Sequence, residues 1–143
     1  MTDPADLSTR IEQVRADLDA ANQARELALP GCRAVIRHCG SSIKAVHRLQ
    51  FDRAAELADA AEAELRQVQA AVADHPAIEH AGFLHDAEKE YVEARAVRAF
   101  VDGVTVPSAS ELAVGGPAYL RGLAEAASEL RRHLLDRLRE GDV

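Results

Sequence analysis

The 143-residue sequence is poor in aromatic side chains, which make up 3% of it, and it contains no tryptophan. Strands favour aromatic and β-branched residues, so this shortage argues against a β-sheet. Alanine and leucine dominate the apolar residues, and hydrophobic residues reach 48% of the chain. The composition therefore predicts one globular domain, covering residues 1–143, that is built from close-packed helices.

The sequence also has little positive charge, since its formal net charge is −7 and its only lysines are Lys44 and Lys89. This excludes nucleic-acid binding through general basicity, so a local basic patch or a bound metal would have to attract a phosphate backbone. No run of about 18 apolar residues is present, and no membrane span is expected. The acidic, polar start "MTDPADLSTR" does not resemble a signal peptide, so we expect a cytoplasmic protein.

Cysteine is scarce as well, with only Cys32 and Cys39 in the chain. If both residues lie on one helix, their Cα atoms are about 10 Å apart along its axis. That distance is too long for a disulfide, so we predict two reduced, buried thiols.

Apolar residues recur at helical spacing along the first third of the chain. Thr2 or Asp3, or else Ser8, is expected to cap the first helix. Pro30 and Gly31 interrupt the pattern, and we predict that the helix breaks there rather than merely kinking. The apolar positions on either side of the interruption are Leu7, Ile11, Val14, Leu18 and Ala21, and then Val35, Ile36, Cys39, Ile43 and Val46.

Proline, glycine and capping signals predict three further helices, with Ser108 or Ser110 capping a turn in the loop before the last one. Their expected bounds are Asp52 to before Pro76, Phe83 to Val101 with Gly103 after it, and about Pro117 to before Gly141. The predicted fold is an all-α antiparallel bundle of four or five main helices. Its alanine-lined stripes suit close helix packing but also resemble coiled-coil seams, so contacts between subunits are an alternative to packing within one chain.

Two of these helices carry pairs of carboxylates. Glu90 and Glu93 share one helix face, which Asp86 extends, and Glu125 and Glu129 lie four residues apart on the last helix. If neighbouring helices bring these groups together, the carboxylates must either take up protons or bind a cation. Ligands that are all oxygen suit magnesium, manganese or calcium better than zinc. A magnesium ion held there could polarise a phosphate and activate water.

The same spacing also fits a solvated helix face on which each glutamate pairs with an arginine. Available partners are Arg95, Arg98, Arg131 and Arg132. Composition and spacing alone leave both interpretations open.

Two longer motifs carry a family resemblance. "EYVEARAVRAFVDGVTVPSASEL", followed by "AYLRGLAEAASELRRHLLDRL", resembles the translin family, especially translin-associated factor X and its microbial relatives. Upstream, "IRHCGSSIKAVHR" is similar to the family's basic helix that ends in histidine and arginine. The resemblance covers roughly residues 20 to 140.

This resemblance implies an all-α fold, homo-oligomerisation and binding of RNA or another single-stranded nucleic acid, including single-stranded DNA. In the factor X branch it implies a Mg²⁺-dependent endoribonuclease that cuts single-stranded RNA, with Mn²⁺ as a substitute ion. The family's catalytic, metal-binding acids match Glu90, Glu93, Glu125 and Glu129, with Glu125 standing where relatives often have aspartate.

The sequence leaves two alternative functions open. The first is a non-catalytic, translin-like nucleic-acid-binding oligomer in which the glutamates form salt bridges. The second is a di-metal carboxylate oxidoreductase, which would need Glu-x-x-His pairs. Glutamate follows Glu90 and serine follows Glu125 at that spacing, which disfavours the oxidoreductase.

A phosphate-contacting patch is predicted from the basic residues of the upstream motif, Arg37, Lys44, His47 and Arg48. The alternative for these residues is an ordinary polar helix face with cations near its C-terminus. The sequence also departs from the family pattern, because it is shorter than usual and is expected to lack the family's C-terminal helices. "LALPGC" moreover interrupts a helix that relatives run continuously.

Overall fold

The computed structural model describes residues 4–141, and every regular element within that range is a helix. Thr2 and Asp3, two of the predicted caps, lie outside these residues. The all-α prediction is confirmed, with four long helices and one short one. They are α1 Pro4–His47, α2 Phe51–Val72, α3 Pro76–Glu79, α4 Phe83–Asp102 and α5 Gly116–Glu140.

Helix α4 occupies the centre of the antiparallel bundle. It packs against α1 and α2 and, on a further side, against α5, while α1 also pairs with α2. The buried core is apolar and rich in alanine and valine, with Tyr91 and Leu65 among its largest fully buried side chains. Cys32 and Cys39 are both buried and free, as predicted, and burial raises the pKa values of their thiols to about 11 and about 12.

The predicted break at Pro30 and Gly31 is wrong, because α1 runs through both residues as one helix of 44 residues. Pro30 is exposed, so its ring does not enter the packed face of α1, although proline still removes one backbone hydrogen bond from the helix. Gly31 is buried against α2, and a Cβ atom there would lie 2.4 Å from Val68 Cγ2. Gly31 therefore allows two helices to approach closely, and this packing outweighs the local helix-breaking tendency.

The other helix ends agree closely with the sequence signals. Gly103 and Gly141 both adopt the left-handed conformation that ends α4 and α5. Helix α2 starts two residues earlier than predicted, with Gln50 rather than Asp52 at its N-cap. In the loop before α5, Ser108 Oγ accepts a hydrogen bond from the Glu111 N–H at 3.3 Å, so Ser108 makes the predicted cap of a turn.

The first half of α1 lies outside the buried core. Its apolar stripe of Leu7, Ile11, Val14 and Leu18 is 54–66% exposed, although the stripe continues into the buried second half of the same helix. A search of the described helices finds none that is both long and apolar enough to cross a membrane.

A candidate carboxylate site between two helices

Small residues on α5 allow it to lie directly on α4. Ala118, Gly122 and Ala126 are the buried positions of α5. A Cβ atom at Gly122 would lie 2.6 Å from the Lys89 carbonyl oxygen and 2.6 Å from Val92 Cβ. No side chain fits between the two helices at this point, so the next turn of α5 reaches the acidic face of α4.

Three of the four predicted glutamates meet at this crossing. Glu90, Glu93 and Glu125 each offer a carboxylate oxygen, and these oxygens lie within 4.8 Å of one another. Glu93 is the most buried of the three, with 7% of its surface exposed. Burial, followed by the negative charges of Glu90 and Glu125, raises the pKa of Glu93 to about 7. The site thus holds more negative charge than its surroundings neutralise.

Lys89 enters this cluster, which the sequence analysis did not foresee. Its Nζ atom donates to Glu90 Oε1 at 2.9 Å and to Glu125 Oε2 at 2.5 Å. The lysine is itself buried, with 9% exposure. Because Lys89 precedes Glu93 by four residues, the two share a helix face, and that spacing was the available signal.

The fourth glutamate, Glu129, is held differently. Its Oε2 atom lies 2.7 Å from His47 Nε2, and the three-oxygen group does not include it. The His47 side chain is 10% exposed, and its ring lies 5.6 Å from the His133 ring. A residue predicted to bind metal and a residue predicted to contact phosphate therefore contact each other.

His47 also borders a basic groove between the end of α1 and the end of α5. The groove has a volume of about 400 Å³ and includes Lys44 and Arg48 from the predicted patch. Arg37 is exposed on α1 and lies outside it. Helix α5 also lines the groove, which no sequence motif indicated, and it supplies Arg132, Asp136, Arg137, Arg139 and Glu140.

Two of the four arginines proposed as alternative partners for the glutamates are engaged elsewhere. Arg95 pairs with Asp59 and Glu62 on α2. Arg98 pairs with Asp102 one turn later on α4. Within residues 4–141, neither arginine forms an ion pair with the four glutamates, so the alternative interpretation is wrong for these two residues.

The donor set fits a hard divalent cation. All three groups are carboxylates, which suit Mg²⁺ or Mn²⁺, and Glu93 carries a buried charge that has no arginine partner in the part of the chain described. Lys89 opposes binding, because it already contacts two of the three carboxylates.

Comparison with known proteins gives matches only among solved structures, since no family model and no curated protein matches the chain. The chain is 34% identical to AfC3PO in its crystal structure, with a TM-score of 0.86, covering 93% of this chain and 68% of the other. An AfC3PO–duplex RNA complex matches at 32% identity, with the same coverage and a TM-score of 0.81. Apo-NeC3PO, at 18% identity, shows the fold alone, with a TM-score of 0.85 over 99% of this chain and 72% of that one.

Proposed function

The chain belongs to the C3PO/translin family, and from this premise we propose that it is a factor X-like, Mg²⁺-dependent endoribonuclease that cuts single-stranded RNA. The observation that carries the proposal is the convergence of Glu90, Glu93 and Glu125 on one point between α4 and α5. RNA as the ligand is supported by the relative AfC3PO, whose structure was solved in complex with duplex RNA.

The three carboxylates would hold the ion, and each contributes differently. Glu93 supplies a buried charge whose burial makes a cation favourable, while Glu90 and Glu125 supply half-buried oxygens at the rim. Bound Mg²⁺ supplies Lewis-acid polarisation of a phosphodiester and acidifies water. Glu129 acts beside this set, where it anchors His47 between the carboxylates and the basic groove.

The basic groove would bind the phosphate backbone. Lys44, Arg48 and Arg132 line it, and within residues 4–141 none of the three forms an ion pair. Since the whole chain carries a net charge of −7, this local patch is what allows an acidic protein to attract RNA. His47 lines the groove and contacts Glu129, one helical turn after Glu125, so we expect a strand bound in the groove to pass close to the ion.

A non-catalytic nucleic-acid-binding protein of the same family is the second candidate. The observation that favours it is Lys89, which already satisfies two of the three clustered carboxylates. In that case the protein would bind RNA or single-stranded DNA in the absence of metal and would not cut it.

Two buried free thiols are compatible with the reducing cytoplasm in which we expect either activity.

We further propose that the exposed stripe of α1 mediates homo-oligomerisation. Leu7, Ile11, Val14 and Leu18 follow heptad-like spacing and remain exposed in a single chain. Ile11→Asp is expected to reduce the mass measured by light scattering. Ala16→Asp places the same charge on the opposite face of α1 and serves as the control; an equal effect of both variants would contradict the assignment.

Cleavage assays test the enzymatic proposal directly. Labelled single-stranded RNA, the matching duplex and single-stranded DNA are incubated with the protein in Mg²⁺, in Mn²⁺ and in chelator. We expect cleavage of single-stranded RNA with either ion and none with chelator. Tight binding of RNA without cleavage under any of these conditions would favour the non-catalytic candidate.

A further inference from the structure

We propose that Lys89 is a resident cation of the carboxylate site, which competes with the divalent ion for Glu90 and Glu125 and so limits the metal affinity of the RNA-free protein. This inference rests on the proposed function, since it takes a divalent ion as the ligand of the cluster. It concerns a residue outside the acidic motifs themselves.

The position of Lys89 is unusual for a lysine. The chain has two lysines, and whereas Lys44 is exposed, Lys89 is buried to all but 9% of its surface. A buried ammonium group is costly unless it is paired and hydrogen-bonded. Among residues 4–141, the ion-pair partners of Lys89 are Glu90 and Glu125, which are two of the three carboxylates that would hold the metal.

Lys89 and the divalent ion carry positive charge and compete for the same carboxylates. With Lys89 in place, the three carboxylates and the lysine have a formal charge of −2, which one divalent ion neutralises. An ion that contacts all three carboxylates must displace the ammonium group from two of them, or else bind beside a positive charge. Either way, Lys89 weakens binding and disfavours a second ion.

A merely structural lysine would have the opposite effect. If Lys89 served only to hold Glu125 of α5 against α4, its removal would let the carboxylates separate and would weaken metal binding. Competition predicts tighter binding after removal. The sign of the change in affinity therefore distinguishes the two roles.

The first measurement is Mn²⁺ binding to the full chain without RNA, followed by the electron paramagnetic resonance signal of free Mn²⁺. Lys89→Met is expected to bind Mn²⁺ at least about tenfold more tightly than the wild type, because a unit charge is removed within a few ångströms of the ion. Lys89→Arg keeps the charge and should bind no more tightly than the wild type. Arg25→Met removes a distant, exposed cation and should leave the affinity unchanged.

A second measurement does not depend on how a variant folds. Since the chain has two lysines, the ¹⁵Nζ spectrum of the wild type should contain two signals. We expect Mg²⁺ to shift the Lys89 signal as the ammonium group leaves its carboxylates, whereas the Lys44 signal should stay in place. A Lys89 signal that is unchanged at saturating Mg²⁺ would overturn the inference.

The outcomes distinguish a failure of the Lys89 inference from a failure of the proposed metal-dependent function. If wild type and Lys89→Met both fail to bind Mn²⁺, the metal site itself is wrong and both proposals fall. If the wild type binds Mn²⁺ and Lys89→Met binds equally or more weakly, the inference alone falls.

Discussion

Helix α4 contacts carboxylates on two of its sides, and the pKa values of Glu62 and Glu93, one on each side, shift in opposite directions. Toward α2, Arg95 Nη2 lies 2.6 Å from Glu62 Oε2 and 3.0 Å from Asp59 Oδ1. Burial alone would raise the pKa of Glu62, but hydrogen bonds from Tyr91 and Arg95 and the charge of Arg95 hold it below its usual value. Toward α5, the pKa of Glu93 is raised to about 7.

The difference lies in the supply of cations. On the side that faces α2, Arg95 of α4 provides a guanidinium, whose planar fork can bind two carboxylates at fixed geometry. The α5 side provides one lysine for three carboxylates, and Glu93 remains the least compensated. The α2 side is fully paired by the protein itself, whereas on our proposal the α5 side is completed by a divalent cation. This contrast supports the proposal that the functional site lies on the α5 side.

The largest expected effect is on catalysis. Glu93→Gln keeps the shape of the side chain but removes the central charge, so we expect RNA cleavage to fall at least about 100-fold. Glu62→Gln makes the same chemical change on the α2 side of the bundle and should leave cleavage nearly unchanged. Single-turnover rates at saturating Mg²⁺ measure both variants.

Equal losses of activity in the two variants would remove the distinction between the two sides, since both would then act through stability alone. Circular dichroism of each variant at the assay temperature is the control for folding.

The next effect is on stability, and its sign differs between the two sides. The pKa of Glu93 rises from 4.5 to about 7 on folding, so its contribution to stability is present below pH 4.5 and is lost as the pH rises through about 7. In chelator, Glu93→Gln should match the wild type at low pH. At about pH 8 it should be more stable by about 1–3 kcal/mol.

Glu62→Gln should show the opposite behaviour. A lowered pKa contributes stability above its unfolded value, and that contribution is lost as the pH falls through the folded value. The variant should therefore be less stable than the wild type at neutral pH, and the gap should close in acid. Urea unfolding across the pH range tests both variants, and curves of the same sign would contradict the comparison.

The third effect is on stability at the close crossing of α4 and α5 at Gly122. Gly122→Ala would place a methyl group 2.6 Å from the Lys89 carbonyl oxygen, which is backbone and cannot rotate away. We expect a net loss of about 1–2 kcal/mol, since overpacking outweighs the helix propensity that alanine gains. Gly40→Ala is the matched control, because nothing lies within 4 Å of its added Cβ, and it should be slightly stabilising. If both variants gain stability, the helices at Gly122 are not in close contact.

Local signals in the sequence predicted most of the fold, and long-range packing accounts for the rest. Periodicity and the glycines at positions 103 and 141 predicted the helices and their ends, because these signals act locally. The acidic spacing predicted which glutamates of α4 share a face. Gly31 was misread as a breaker because its role depends on Val68, a residue 37 positions further along the chain. Long-range packing of this kind leaves no local signature.

The site shows the same limit. Glu90, Glu93 and Glu125 were named from motifs, and spacing puts Lys89 on the same face of α4 as Glu93. The sequence could not show, however, that Lys89 would reach Glu125 or that His47 would contact Glu129. Both contacts join different helices, so they depend on how the helices cross. The four-carboxylate site predicted from the motifs is, in the structure, a group of three with a histidine-bound neighbour.

The smallest expected effect separates two arginines that the sequence treated alike. Arg48 lies in the basic groove between the ends of α1 and α5, whereas Arg37 is exposed outside it. Arg48→Ala should lower the slope of log affinity against log salt by about one, as expected when one phosphate contact is lost. Arg37→Ala should leave that slope unchanged. Because both variants remove one positive charge from α1 or its end, equal changes in slope would show that RNA responds to the overall charge of this region. A change for Arg48 alone would place the strand in the groove beside the carboxylates.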